Sequence, residues 1–385
     1  MRHFDHLTAP ERSRLFFREP ERFDRDAPRD TLAVALGGTL YIPATRPEIA
    51  KDLRKQSDHG VISTVVCLED SVADSELLHA ERNAARQLRQ FAEERVDGPL
   101  VFVRVRAPEQ IPMLMDALDE HHTVLSGFVV PKFTPRSADV YLDALRAASQ
   151  QAGRTMLFMP VLESPELAFA ENRARQLLDI KTILDDVREH VCAVRVGATD
   201  LSSAYGLRRG RDLTVWDVRP VADVIADIVN VFGRADGTGY VITGAVWEHY
   251  ANEERLFKPL LRQSPFDEHE AAQLRASLLR NDLDGLLREI TMDKANGIIG
   301  KTVIHPTHIA AVHALSVVTH EEYSDATDIL GTQGGGATAS SYRNKMNEAK
   351  PHSAWARRTM QRAAAFGVAN PDISVVDLLG VGLVR

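Results

Sequence analysis

Residues 156–166 read MLFMPVLESPE and residues 192–206 read CAVRVGATDLSSAYG. In each stretch a short apolar run ends in a carboxylate, Glu163 in the first and Asp200 in the second. Runs that are apolar on both faces and too short for a helix predict buried parallel strands. The two acids then emerge at strand C-termini, where α/β proteins place their chemistry. Two carboxylates converging there are a natural seat for a hard divalent ion such as Mg²⁺, which takes oxygen ligands and leaves positions open for substrate.

Working outward, the same kind of run recurs along the chain. Strands are predicted at Thr39–Pro43, Ser63–Leu68, Leu100–Arg106, Gly127–Lys132, Met156–Leu162, Ala193–Gly197, Tyr240–Val246 and Gly300–His305. Segments of helical period separate them: Pro47–Asp58, Asp74–Glu94, Ala138–Gln151, Pro165–Leu178, Trp216–Phe232 and Asp267–Asn281. Asp74, Ser164 and Asp267 stand where helix N-caps are expected. Strands alternating with helices imply parallel pairing through right-handed crossovers. Eight of them predict an α/β fold of the closed (β/α)₈ TIM-barrel type, whose usual length of about 250 residues matches Thr31–Leu315. A doubly wound open sheet is the alternative, but no glycine-rich phosphate loop follows the first strand.

This gives a domain plan of an N-terminal extension (1–30), a catalytic barrel (31–318) and a C-terminal helical extension (319–385). Within the last, residues 321–342, with Gly334–Gly336, read as a flexible connector or mobile loop. The helix resumes over Asn347–Phe366, a lid, an arm to a neighbouring subunit or a helix packed on its own barrel.

Composition limits the function classes. The 385 residues are 44% hydrophobic and 26% charged, as in an ordinary globular protein, with a net charge of −8. No basic run marks a nucleic-acid surface, and no apolar stretch approaches the ~18 residues of a membrane span. The charged N-terminus lacks a signal-peptide core. Cys67 and Cys192 lie in apolar runs and read as buried, reduced thiols. These features predict a soluble, cytoplasmic protein. His3, His6, His121 and His122 have no metal-type spacing and read as surface residues.

The strand ends carry an unusual density of charge. The second strand closes on Glu69 and Asp70, the fourth on Lys132, and the eighth runs from Lys301 to His305. In the third, alternation puts Arg104 and Arg106 on one face. An arginine inside a barrel needs an anionic partner, either Glu69 or Asp70 or a substrate carboxylate gripped bidentately. Singly each has an ordinary explanation, a capped turn or a solvated ion pair; their coincidence at successive strand ends is hard to explain as packing.

The blocks LYIPA (40–44), VCLEDSV (66–72), VRVR (103–106), VVPK (129–132), LES (162–164), GATDLSSAYG (197–206), LDGLLRE (283–289) and GIIGKTVIHPTHI (297–309) resemble, in order, those of the HpcH/HpaI aldolase/citrate lyase family, most closely its citrate lyase β-subunit branch. The resemblance implies a TIM barrel that makes or breaks a carbon–carbon bond next to a carbonyl in a small oxo- or hydroxy-acid, free or as a CoA thioester. It implies Mg²⁺ on Glu163 and Asp200, with Arg104 clamping the substrate's carboxylate or keto oxygen. Glu69 and Asp70 fall at the acidic pair that shapes the site, and Asp70 is a candidate general base. Arg106, Lys132, Lys301 and His305, with the backbone of Gly197, Ala198 and Thr199, are the expected substrate contacts. Glu348, in Asn344-Lys345-Met346-Asn347-Glu348, falls where an aspartate serves as acid/base in a neighbouring subunit, and the family's habit predicts a homotrimer or hexamer. A non-catalytic or partner-dependent barrel subunit is the alternative. The chain departs from the pattern in its 37-position spacing between Glu163 and Asp200, in Arg106 where asparagine is usual, in an enlarged Glu248–Pro265, and in the arginines Arg208, Arg209 and Arg211.

Overall fold

In the computed structural model, which describes residues 1–94, 98–250, 283–332 and 335–383, eight parallel strands ring a common axis. They are β1 (Gly38–Pro43), β2 (Ser63–Cys67), β3 (Leu100–Arg104), β4 (Leu125–Val130), β5 (Leu157–Leu162), β6 (Val194–Val196), β7 (Ile242–Thr243) and β8 (Lys301–Val303). From β1 to β7 each pairs in parallel with the next in sequence, and β8 pairs with β1, with Gly38 opposite Lys301. The ring closes through Gly244, whose N–H donates to the Gly300 carbonyl (3.1 Å) and whose carbonyl accepts from Thr302 (3.1 Å). The expected TIM barrel is borne out.

The strands form where the sequence is apolar on both faces. Every residue of β4 and β5 is buried, because one face meets the outer helices and the other the barrel interior. Helices follow the strands, among them Ile49–Asp58, Leu77–Glu94, Pro135–Ala152, Arg219–Phe232 and Thr307–Ser316. Pro135–Ala152 shows how sequence sets an end: Thr134 makes a capping box with Ser137, Pro135 opens the first turn, and Gly153 leaves it in the left-handed region at φ 65°. Inside the ring, Leu32 and Leu36 pack with Val65, Phe102, Val129, Leu157 and Met159. The helix Arg29–Ala35 that carries Leu32 thus plugs the N-terminal end of the barrel and leaves the C-terminal mouth open.

Several local expectations are corrected. Asp74 does not cap a helix; it opens a 3₁₀ turn, Asp74–Glu76, that precedes Leu77–Glu94. Ser164 holds an N-cap position without a side-chain cap bond, and its helix is only Pro165–Ala168. A second helix, Ala170–Asp186, starts after the extended Phe169. Buried Arg173 stitches the break by donating to the Leu167 and Ala168 carbonyls at 2.9 and 2.6 Å. This pair of helices takes up the long spacing between Glu163 and Asp200. The expected helix Asp267–Asn281 and its cap lie outside the described residues.

The tail is not a loose connector. His320–Gly331 is a helix started by a Thr319–Glu322 capping box, with Asp325, Ala326 and Ile329 buried against the rest of the fold. A hairpin, Ala337–Ala339 with Met346–Glu348, leads into Ala349–Phe366. The termini then meet: Val368–Ala369 pairs antiparallel with Phe16–Arg18. His3, expected at the surface, is fully buried, with Nε2 2.8 Å from the Ala35 carbonyl and its ring 4.2 Å from Phe366 and 4.5 Å from His313. Its burial comes from contact between distant segments, which the polar surroundings of His3 in sequence do not display. Cys67 and Cys192 are free and buried. No helix of the described residues is long and apolar enough to cross a membrane.

Candidate active site

At the C-terminal mouth lies a cavity of about 390 Å³. Its walls come from successive strand ends: Tyr41 and Pro43 of β1, Asp70 and Ser71 after β2, Arg104 of β3, Glu163 after β5, Gly197–Asp200 after β6, and Thr302 and Ile304 at β8. Strand-end position brings these groups together although they are far apart in sequence.

Glu163 is the centre of the charge network. It is 2% exposed, and its Oε1 accepts from Arg104 Nη2 (2.9 Å) and from the backbone N–H of Lys132 (3.1 Å). Burial, with the Asp200 charge adding to it and Arg104 only partly offsetting it, pushes the Glu163 carboxyl up to about 7. Gly197 lies against it so closely that a Cβ at that position would fall 2.0 Å from Glu163 Oε2. Only glycine lets β6 pass beside this carboxylate.

Two cations hold four acids. Arg104 Nη2 reaches Glu69 Oε2 at 2.7 Å, Glu163 at 2.9 Å and Asp70 at 3.4 Å. All three contacts use the same nitrogen, and Arg104 Nε is buried without a partner. Lys132 Nζ sits 2.7 Å from Glu69, 3.4 Å from Asp70 and 3.5 Å from Asp200. Lys132 adopts φ 47°, a left-handed conformation that is costly for a residue with a side chain; it places both its N–H and its ammonium on the acidic cluster. Burial works against its charge, but the Glu69 bond and the neighbouring carboxylates outweigh it and hold the ammonium protonated. Burial raises the Glu69 carboxyl. Asp70 is lowered despite its own burial, by its hydrogen bonding with Glu69 and the Arg104 and Lys132 charges.

Counted as ionised, the four carboxylates outnumber Arg104 and Lys132 by two, an excess that the raised Glu163 and Glu69 carboxyls reduce when they hold protons. That excess, and the position of Glu163 and Asp200 on adjoining strand ends, fits a divalent ion. Among the described residues no group of three or more His, Cys, Asp or Glu could enclose a metal. Mg²⁺ does not require one, since it is commonly held by one or two carboxylates with water and substrate completing the shell.

The structure brings Glu163, Asp200, Arg104, Asp70, Gly197, Ala198 and Thr199 to the cavity, with Glu69 and Lys132 bonded behind them. Three expected substrate contacts lie elsewhere. Arg106 is beyond the end of β3 and is tied to Asp74 (2.5 Å) and the Glu69 and Val72 carbonyls, fastening the loop after β2. Lys301 is not at the rim. It begins β8 and is buried in ion pairs with Glu289 (2.8 Å) and Asp293 (2.7 Å) of the helix Leu283–Ala295, while its neighbour Thr302 lines the cavity. His305 stacks on Tyr250, centroids 4.8 Å apart, and bonds the Thr307 hydroxyl at 2.8 Å. Glu348 is exposed on the C-terminal hairpin and does not line its own chain's cavity. Of the extra arginines, Arg209 is buried, paired with Glu289 and placed 5.2 Å from the Trp247 ring. Sequence reasoning missed Arg195, Tyr41 and Thr302. Arg195 carried a usable signal: like Arg104, it is an arginine within a valine-rich strand.

The family model of C–C bond lyases of the TIM-barrel fold matches residues 30–368. The chain belongs to that family. It is therefore a lyase, as the strand-end blocks led us to expect. A search of curated proteins finds no match. Among solved structures it is similar to a citrate lyase from Burkholderia xenovorans LB400, at 15% identity and TM-score 0.62, covering 91% of this chain and 96% of that one. It is also similar to the protein CitE from Mycobacterium tuberculosis in complex with magnesium, acetoacetate and coenzyme A, at 19% identity and TM-score 0.51, covering 86% and 99%. A magnesium/glyoxylate complex of Haloferax volcanii malate synthase aligns at 13% identity and TM-score 0.50, over 71% of this chain and 73% of that one. At these identities the likeness is one of fold.

Proposed function

We propose that this C–C bond lyase is Mg²⁺-dependent and acts next to a carbonyl in a small oxo- or hydroxy-acid, free or as its CoA thioester. The observation that carries the reading is the mouth itself: Glu163 and Asp200 on adjoining strand ends, more carboxylates than the two cations bound to them, and an arginine whose guanidinium is only partly used. The magnesium in the CitE and malate synthase complexes supports it by analogy of fold.

Glu163 and Asp200 would hold the ion. When bound, it supplies Lewis-acid polarisation of a keto or hydroxy oxygen. Arg104 offers its remaining N–H groups to the acid's carboxylate or keto oxygen and adds a charge that cannot be lost as a proton. Bond cleavage leaves negative charge on the carbonyl fragment, and the fixed donors that line the cavity stabilise it. Asp70, kept ionised, is placed to accept a proton, while Glu69 and Lys132 hold it in position. Within one chain Glu348 stays away from the cavity, so its part in the reaction would be played at a neighbouring copy's mouth in a homotrimer or hexamer. Light scattering reads that assembly.

Mg²⁺ titration by calorimetry tests the site: Glu163→Ala and Asp200→Ala should each abolish or sharply weaken binding. Unchanged affinity in both would refute the assignment. Cleavage assays on malyl-CoA, citramalyl-CoA and free hydroxy-diacids then sort the substrate class.

A further inference from the structure

The floor of the barrel, at the opposite end from the mouth, holds another cavity, of about 240 Å³. Its walls are the plug helix Arg29–Ala35, the segments that lead into β6 and β7, and the helix Ala349–Phe366. Five arginines line it, Arg29, Arg188, Arg234, Arg357 and Arg358, against one acid, Asp30. The chain as a whole carries a net charge of −8. Gathering like charges is repulsive, so this cluster runs against the protein's own balance.

Main-chain carbonyls do much of the work of fixing these arginines. Arg188 donates to the Gly239 carbonyl at 3.0 Å and to that of Thr238, and its guanidinium lies 4.2 Å from the Tyr240 ring. Arg358 donates to the Gly233 and Arg234 carbonyls at 2.6 and 3.2 Å. Arg29 donates to the Arg188 carbonyl at 2.7 Å, and Arg234 to that of Asn230 at 3.1 Å. Gly239 lets the turn close, since a Cβ there would fall 2.1 Å from the Arg234 carbonyl oxygen. Arg357 and Arg358 share one helix face with Ala354 and Gln361, at spacings of three and four. A carbonyl positions a guanidinium without cancelling its charge. The neighbouring acids cancel only part of it: Asp30 sits on Arg29, Asp185 on both Arg188 and Lys181, and Asp236 beside Arg234. With Lys181 included, that is six cations against three carboxylates.

We propose that this floor cavity binds a pyrophosphate group, free or carried by a nucleotide, and that the bound group ties the helix Ala349–Phe366 to the barrel. Guanidinium forks facing one space from three elements match an anion with several oxygens and at least three charges. An adjoining cavity of about 310 Å³ shares Ala235, Ala354 and Arg358 and opens beside Trp355, with room for the rest of a nucleotide. The site is independent of the chemistry assigned to the mouth.

The test is calorimetric titration of the metal-free, full-length protein with inorganic pyrophosphate, ADP and orthophosphate. Pyrophosphate should bind roughly 10-fold or more tightly than orthophosphate, the worth of one further charge-assisted contact, and should raise the melting temperature. ADP binding more tightly than pyrophosphate assigns the group to a nucleotide; the reverse order assigns it to free pyrophosphate. Arg234 and Arg357 are exposed, so their replacement leaves the fold intact. Arg234→Ala and Arg357→Ala should each weaken pyrophosphate by roughly 3- to 10-fold. The double variant Arg234→Glu/Arg357→Glu should abolish binding, with a ligand-free melting temperature equal to that of wild type. Wild type that binds none of the three overturns the proposal. So does an affinity unchanged in the double variant, which would put the anion on Arg104 and Lys132 of the mouth. Equal affinities for orthophosphate and pyrophosphate, both lost at about 0.15 M salt, would leave only diffuse attraction to surface charge and overturn it too.

Discussion

Replacing Glu163 by glutamine should make the metal-free protein more stable and the enzyme useless. The side chain is 2% exposed, and its carboxyl is pushed from an ordinary 4.5 up to about 7, chiefly by burial. Holding it ionised at pH 8 therefore costs about 3 kcal/mol relative to the unfolded chain, at ~1.4 kcal/mol per pH unit. Glutamine keeps an oxygen to accept from Arg104 and the Lys132 N–H but carries no charge, so Glu163→Gln should recover about 1–3 kcal/mol after relaxation. The sign follows from proton binding. A raised carboxyl binds its proton more tightly when folded, so its penalty is absent below about 4.5, grows as pH rises, and is complete above about 7. Urea denaturation of both proteins at pH 4.5, 6 and 8 in chelator should show the stability gap opening with pH. Saturating Mg²⁺ should narrow or reverse it, because only the wild type gains from the ion. A glutamine variant that is less stable at pH 8, by an amount independent of pH, would refute the account of Glu163 as a strained ligand.

Other consequences follow from the same contacts. Gly197→Ala keeps a permitted backbone (φ −101°) but forces a Cβ to 2.0 Å from Glu163 Oε2; displacement of that carboxylate should weaken Mg²⁺ binding by about 10- to 100-fold in calorimetry, with an unchanged circular dichroism spectrum. Lys301→Met leaves Glu289 and Asp293 buried with too little positive charge, and should destabilise by about 3–5 kcal/mol in urea while Mg²⁺ affinity stays as in wild type. Burial depresses His3 to about 4 and His313 well below its usual 6.5. Unfolding lets both take up protons, so stability should fall as pH drops from about 6.5 toward 4, by up to ~1.4 kcal/mol per pH unit for each. Measuring this in the Glu163→Gln background removes the opposing slope of Glu163. A Mg²⁺ titration across pH 5.5–8.5 should show affinity rising with pH and levelling above about 7, since the ion competes with the Glu163 proton.

Much of the site was legible because strand position is a local property. A buried run that ends in an acid places that acid at the strand's C-terminal end whatever the rest of the chain does, and this located Glu163 and Asp200. The same logic located Arg104, and it would have located Arg195 had the arginine inside CAVRVGATD been given the weight of the one in VRVR. It misplaced Arg106 because β3 ends at Arg104, and alternation stops with the strand. It misplaced Lys301 because its charge says nothing of which side of the barrel wall receives it; the acids of Leu283–Ala295 decide that. His3 was misread for a similar reason, its cover coming from Ala35, His313 and Phe366.

By itself, then, the sequence determined the alternating elements, the barrel they close into and the strand-end acids of the mouth, because periodicity and order act along the chain. Only the tertiary structure decided which charges are paired. Lys132 is drawn onto three acids, Arg104 serves three through one nitrogen, and Arg195 meets none among the described residues. Pairing across a barrel depends on distances between residues 31 to 156 positions apart, and those are set by closure of the ring and packing of its core.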